Sequence, residues 1–170
     1  GVVEPYKGRA QLVTHNYGSA ITEEIIIKID AAKLTRLRNA SQGSRDLAPG
    51  FSGFGKIVAP ELEMLRLGIN NYTLRDSREQ TVDLSECPKL EEVYLHNVPG
   101  VKLPTERTAL KKVAFYSSAS STDRNYATLS NKHLDLSGYT ALTEIDIQRQ
   151  PNLETVDLTG LTALTKLTIK

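Results

Sequence analysis

The sequence predicts a mainly β repeat solenoid carrying long loop insertions. Three observations predict it: a motif that recurs along most of the chain, a two-residue alternation closing each copy, and spacings that lengthen on one side only. The recurrence is direct. Lys28–Arg38 returns 28 residues later as Lys56–Arg66, with 6 of 11 positions identical. A further 28 residues on, Cys87-Pro88-Lys89-Leu90-Glu91-Glu92-Val93 repeats the Pro-x-Leu element. Towards the C-terminus the period shortens to 11, in Leu142–Ile147, Leu153–Leu158 and Leu164–Ile169. Self-similarity of this kind marks stacked supersecondary units.

The common unit is apolar-x-x-apolar-x-apolar. Twelve copies start at Ile26, Leu34, Phe54, Leu62, Glu79, Leu90, Val98, Leu110, Asn131, Leu142, Leu153 and Leu164. Of their 36 ladder positions 33 are apolar, against about 14 expected by chance in a chain that is 39% hydrophobic. The last two ladder positions alternate with polar ones, which is strand periodicity. Each unit is therefore a turn, a short strand and a corner.

The copies fall into two alternating classes. The first starts at 26, 54, 79, 98, 131 and 153 and often carries an Asp with a hydroxyl, as in Val82-Asp83-Leu84-Ser85 and Leu134-Asp135-Leu136-Ser137. The second starts at 34, 62, 90, 110, 142 and 164, mostly after Pro-x or Thr-Ala. From first class to second the step is 8, 8, 11, 12, 11 and 11 residues; from second to first it is 20, 17, 8, 21 and 11. Length varies on one side, so every insertion belongs to one edge of a stack. These insertions, Asn39–Gly53, Gly68–Arg78 and Ser117–Ser130, are rich in Ser, Gly and Asn. Residues 1–20 read as an N-terminal cap or hairpin segment, and 21–170 as a single solenoid of about six irregular coils.

The stretch His133-Leu-Asp-Leu-Ser-Gly-Tyr-Thr-Ala-Leu-Thr-Glu-Ile-Asp-Ile147, followed by Pro151–Gly160, resembles bacterial cell-surface leucine-rich-repeat proteins of the Leu-Asp-Leu-Ser-Gly-x-x-x-Leu type. The resemblance is strong over 131–170, good over 79–115 and degenerate over 26–67. The Asn or Cys that follows the strand in that family is Gln150 in one repeat. The resemblance implies a right-handed curved coil with a parallel sheet on its concave side. It also implies an extracellular, cell-surface or periplasmic location, and recognition of a protein or glycan rather than catalysis.

Charge and composition narrow the function classes. Lys+Arg against Asp+Glu stand at 21 to 20, without the basic excess of a nucleic-acid binder. No run approaches the length of a transmembrane helix. Cys87 is the sole cysteine, so there is neither an internal disulfide nor a paired-thiolate zinc site. It precedes Pro88 where the aligned repeat has Ala59, and is expected to be a small buried packing residue. His15, His96 and His133 lack ligand spacing. Gly50–Gly55 lacks the Lys and the strand-loop-helix context of a phosphate loop. Asp83, Asp135 and Asp157 form a partial row broken by Lys102. Such a row suits calcium, but turn-bonded carboxylates beside Ser or Thr are the favoured reading. No metal, cofactor or catalytic residue is expected. An enzyme using insertion residues such as Asp76, Asp123 or His133 is the least favoured alternative.

The second-class strands are expected to build the binding surface. By alternation their outward residues are Arg36 and Arg38; Met64 and Arg66; Glu92, Tyr94 and His96; Lys112, Ala114 and Tyr116; Glu144, Asp146 and Gln148; then Lys166 and Thr168. Within this column Arg36, Arg38, Arg66, Tyr94, His96, Tyr116, Glu144 and Asp146 are the candidate ligand-binding residues: a basic end, an aromatic middle and an acidic patch. Tyr and Arg are the side chains that most often dominate interfaces. The chain is expected to be a monomer or weak homodimer, and the alternative function is a structural or assembly protein pairing through its uncapped C-terminal edge at Leu167–Lys170.

Overall fold

The computed structural model describes residues 31–38, 56–68, 81–118 and 128–170. The segment at 1–20, the copy starting at Ile26 and most of each insertion lie outside the described residues. The described residues are mainly β, with parallel sheets and one single-turn helix, Ala31–Lys33. The strands are β1 (Arg36–Arg38), β2 (Lys56–Val58), β3 (Met64–Gly68), β4 (Thr81–Glu86), β5 (Glu92–His96), β6 (Gly100–Lys102), β7 (Lys112–Tyr116), β8 (His133–Asp135), β9 (Glu144–Gln148), β10 (Thr155–Asp157) and β11 (Lys166–Ile169).

The chain alternates between two sets of strands. The odd strands form one six-stranded sheet in the order β1-β3-β5-β7-β9-β11, parallel at every junction. The even strands form a three-stranded sheet, β2-β4-β6, and a two-stranded one, β8-β10, also parallel. These sets coincide with the two classes distinguished by sequence. The even set is less regular than the odd one in two ways. Register slips between β2 and β4, and β6 is not paired with β8. At that break Asn131, an exception to the apolar ladder, reaches the backbone of Val101, accepting from its amide (3.4 Å) and donating to its carbonyl (3.5 Å). A polar residue at a ladder position thus spans a junction that lacks strand bonds.

Corners set the register. The carbonyl of Thr35 accepts the amides of both Glu63 and Met64. Glu63, Glu91, Lys111 and Thr143 do the same for the strand that follows each of them in the sheet. Thr143 and Thr165 add their hydroxyls to the acceptors beside them, each at 3.0 Å. On the other side the Asp-x-Ser/Thr signature closes a tight turn. Asp83, Asp135 and Asp157 accept the amide two residues on at 2.9, 2.8 and 2.9 Å, the Asx-turn pattern. Gly138 (φ 69°) and Gly160 (φ 80°) then turn the chain in the left-handed region, where a Cβ is disfavoured. The Gly138 amide donates to Thr159 O at 2.9 Å, tying one turn to the next.

Alternation in the odd strands puts one row of side chains inside. Leu65, Val93, Val113 and Ile145 are buried in register, as are Leu67, Leu95, Phe115 and Ile147. Leu62, Leu90, Leu110 and Leu142, the first ladder residue of each unit, are also sealed off. Val82, Leu84, Val101 and Leu134 from the even strands, and Leu136 just past β8, meet them within one continuous core. Cys87 belongs to this core, as expected, with its thiol 3.4 Å from Ile57 O; burial pushes that thiol's pKa up. Towards β11 the core thins: Leu167 is 48% exposed and Ile169 52%.

A core laid out as a row makes the cost of truncation depend on place. Phe115→Ala, at a fully buried central position, is expected to lower the unfolding free energy by about 3–5 kcal/mol. Leu164→Ala, at a partly buried position of the last unit, should cost clearly less. Urea denaturation of both variants measures the difference.

Candidate functional site

In-register pairing converts the outward positions of the six-stranded sheet into three rows. The first holds Arg36, Met64, Glu92, Lys112, Glu144 and Lys166. The second holds Arg38, Arg66, Tyr94, Ala114, Asp146 and Thr168. The third holds Gly68, His96, Tyr116 and Gln148. All eight sequence-predicted residues therefore share one face. Neighbours within a row stand about 4.8 Å apart, and neighbours along a strand roughly 6.7 Å apart.

The middle of this face is closed by its own interactions. Glu144 takes Lys112 on one side (2.8 Å) and Lys166 on the other (2.7 Å). Those two ammonium groups hold its carboxyl below the usual range. Tyr116 donates its hydroxyl to Asp146 Oδ2 at 2.7 Å, and Gln148 Nε2 donates to Asp146 Oδ1 at 2.8 Å. Burial, then the bonded Asp146, push the Tyr116 phenol far above its ordinary pKa. Tyr94 donates to Glu92 at 3.1 Å. Its ring carries the Arg66 guanidinium at 5.2 Å and the Lys112 ammonium at 5.4 Å, from strands on either side of β5. Ala114, between Tyr94 and Asp146 in its row, faces outward by alternation and is nonetheless fully buried. Its small side chain is the floor between larger neighbours.

His96 Nε2 lies 2.9 Å from Ser118 Oγ, a distance compatible with a nucleophile and its base. Burial, and then the Arg66 charge, lower the His96 pKa, favouring the neutral imidazole. Ser118 itself is positioned by Asn97, which turns the chain in the left-handed region (φ 55°) and accepts the Ser118 amide at 2.7 Å. Asn97 escaped the sequence reading. The available signal was an Asn immediately after a strand, since Asn tolerates that backbone region better than most residues. Gln150 accepts the Leu129 amide at 2.8 Å, tying two segments 21 residues apart.

The opposite side holds the aspartate row. Asp135 and Asp157 face each other in register, and Asp83 faces Lys102 at 3.3 Å. Each aspartate is engaged by its own turn, and Asp135 also takes Arg107 at 2.9 Å. Arg107, unremarked in the sequence, reaches Ser137 O and lies 5.0 Å from the Tyr139 ring. Arg107 first, then the Ser137 hydroxyl and amide, hold the Asp135 carboxyl well below the usual carboxylate range. Among the described residues no group of three His, Cys, Asp or Glu side chains could hold a metal ion. Nor is any helix there long and apolar enough to cross a membrane.

No family model, curated protein or solved structure matches the chain.

The lowered pKa of Asp135 has a definite sign. A carboxyl depressed on folding contributes stability that is present above its unfolded pKa of about 3.9 and is lost as pH falls through the folded value. Asp135→Asn is therefore expected to be less stable than the parent at pH 7, with the gap closing as the pH falls below about 4. Thermal melts across pH read the gap.

Proposed function

We propose that the chain is a leucine-rich-repeat-type solenoid and serves as a non-enzymatic recognition module. Its partner is a protein or glycan met outside the bacterial cell or at its surface. The observation that carries this reading is the six-stranded parallel sheet, which brings residues from Arg36 to Thr168 onto one face in register. A row of parallel strands is an extended rigid display, and side chains already fixed by hydrogen bonds and cation–π contacts lose little freedom on binding. The Leu-Asp-Leu-Ser-Gly resemblance supports the family and the compartment.

A second reading is favoured by one feature. β11 pairs with β9 and, among the described residues, with nothing on its other side, while Leu167 and Ile169 stand about half exposed. An edge of this kind pairs readily with another strand, which supports assembly through β11. Light scattering over a wide concentration range tests it; a species that stays monomeric throughout counts against it.

For the leading reading, simultaneous replacement of Tyr94, Tyr116 and Arg66 by Ala should abolish capture on glycan and extracellular-protein arrays. Circular dichroism should show the fold kept. Capture that survives the triple change places recognition elsewhere.

A further inference from the structure

We propose that the β1–β3 end of this face takes an acidic peptide segment of a partner protein, gripped by Arg36, Arg38 and Arg66. The inference rests on the recognition reading above and names the chemistry of the partner.

The first support is the distribution of ion pairs. Every described Lys and Arg from Lys89 to Lys132 is paired with a carboxylate: Lys89 with Glu61, Lys102 with Asp83, Arg107 with Asp135, Lys111 with Glu91, Lys112 with Glu144 and Lys132 with Glu154. Arg36, Arg38 and Arg66 have no carboxylate partner among the described residues; Lys33, Arg149 and Lys170 share that, but lie outside the strands. They sit on two adjacent strands, and the nearest acid in their rows is Glu92, which takes the Tyr94 hydroxyl.

The second is the placement of like charges. Arg38 and Arg66 are direct register partners, about 4.8 Å apart in backbone spacing. Like charges directly opposite destabilise a sheet. A carboxylate set between two guanidiniums reverses the sign of that interaction and receives charge-assisted bonds from both. Arg66 is partly immobilised over the Tyr94 ring, so less freedom is lost when it grips a ligand.

The third is spacing. Arg36 and Arg38 leave the same face of one strand, roughly 6.7 Å apart, which is also the distance between alternate side chains of an extended peptide. A segment with acidic residues at alternate positions, lying along β1, meets both. A sugar would instead look for an open aromatic face, and the Tyr94 ring is already covered by Arg66 and Lys112.

The test uses the whole chain and a fluorescein-labelled eight-residue peptide alternating glutamate and serine, followed by anisotropy at about 50 mM and about 300 mM NaCl. The glutamine version of the peptide and a heparin octasaccharide serve as comparison probes. Binding of the glutamate peptide is expected, weaker at the higher salt, and absent for the glutamine peptide. Arg38→Gln combined with Arg66→Gln should weaken it about tenfold or more. Lys132→Gln, beside β8 and outside the six-stranded sheet, should leave it unchanged. Equal loss in Lys132→Gln, or no loss in the arginine pair, overturns the site. Heparin binding without peptide binding overturns the peptide in favour of an anionic glycan. Silence of all three probes also overturns it. The recognition reading stands or falls separately, on whether the parent chain captures any glycan or extracellular protein on the arrays and loses it when Tyr94 and Tyr116 alone are replaced.

Discussion

The corner carbonyls of Thr35, Glu63, Glu91, Lys111 and Thr143 each accept two amides from the next strand of the six-stranded sheet, and this shared-acceptor ladder fixes the register in which the strands meet. Everything on the two faces follows from that register. A slip of one residue would exchange the faces of a strand, sending Val93 and Leu95 to water and Glu92, Tyr94 and His96 into the core. With the corners tied, each ladder residue meets its counterpart from the neighbouring unit. The core becomes a series of like-sized layers.

Register also turns sequence charge into geometry. Ion pairs such as Lys89–Glu61, Lys111–Glu91 and Lys132–Glu154 join residues 20 to 28 positions apart on successive strand units. Each is exposed and contributes little on its own. Their value is in discrimination, because a displaced unit would set like charges side by side. On the described six-stranded sheet, Lys112 and Lys166 are balanced by Glu144 between them. Among the described residues no such balance is present at the β1–β3 end.

Much of this was legible in the sequence, and the reason is the repeat. A motif written twelve times averages out the ambiguity of any one short strand, so both strand sets and the outward face could be assigned from alternation alone. The burial of Cys87 followed from its alignment with Ala59. What stayed hidden depends on contacts between units that no local pattern records. Nothing near Arg107 in sequence points to Asp135 and Ser137, which lie 28 and 30 residues on. The covering of Ala114 depends on large neighbours in adjacent strands. Asn131 looked like a flaw in the ladder and proved to bond the Val101 backbone where strand pairing is missing.

The contrast between the two halves of the displayed face bears on how such a surface discriminates. From β7 to β11 the polar groups are satisfied by one another: Asp146 holds Tyr116 and Gln148, and Glu144 holds Lys112 and Lys166. A ligand that meets this half must match the bonds it displaces, so a poorly matched partner is rejected by unpaired polar groups rather than by bulk. At β1–β3 Arg36 and Arg38 are exposed and Arg66 is half-buried, none has a carboxylate partner among the described residues, and their field extends about one Debye length into solvent. On the proposed recognition reading, that half would attract acidic surfaces from a distance and raise the rate of encounter. Such a face would separate two tasks, with capture at one end and selection towards the other. The tyrosine between them, Tyr94, touches both through Arg66 and Lys112.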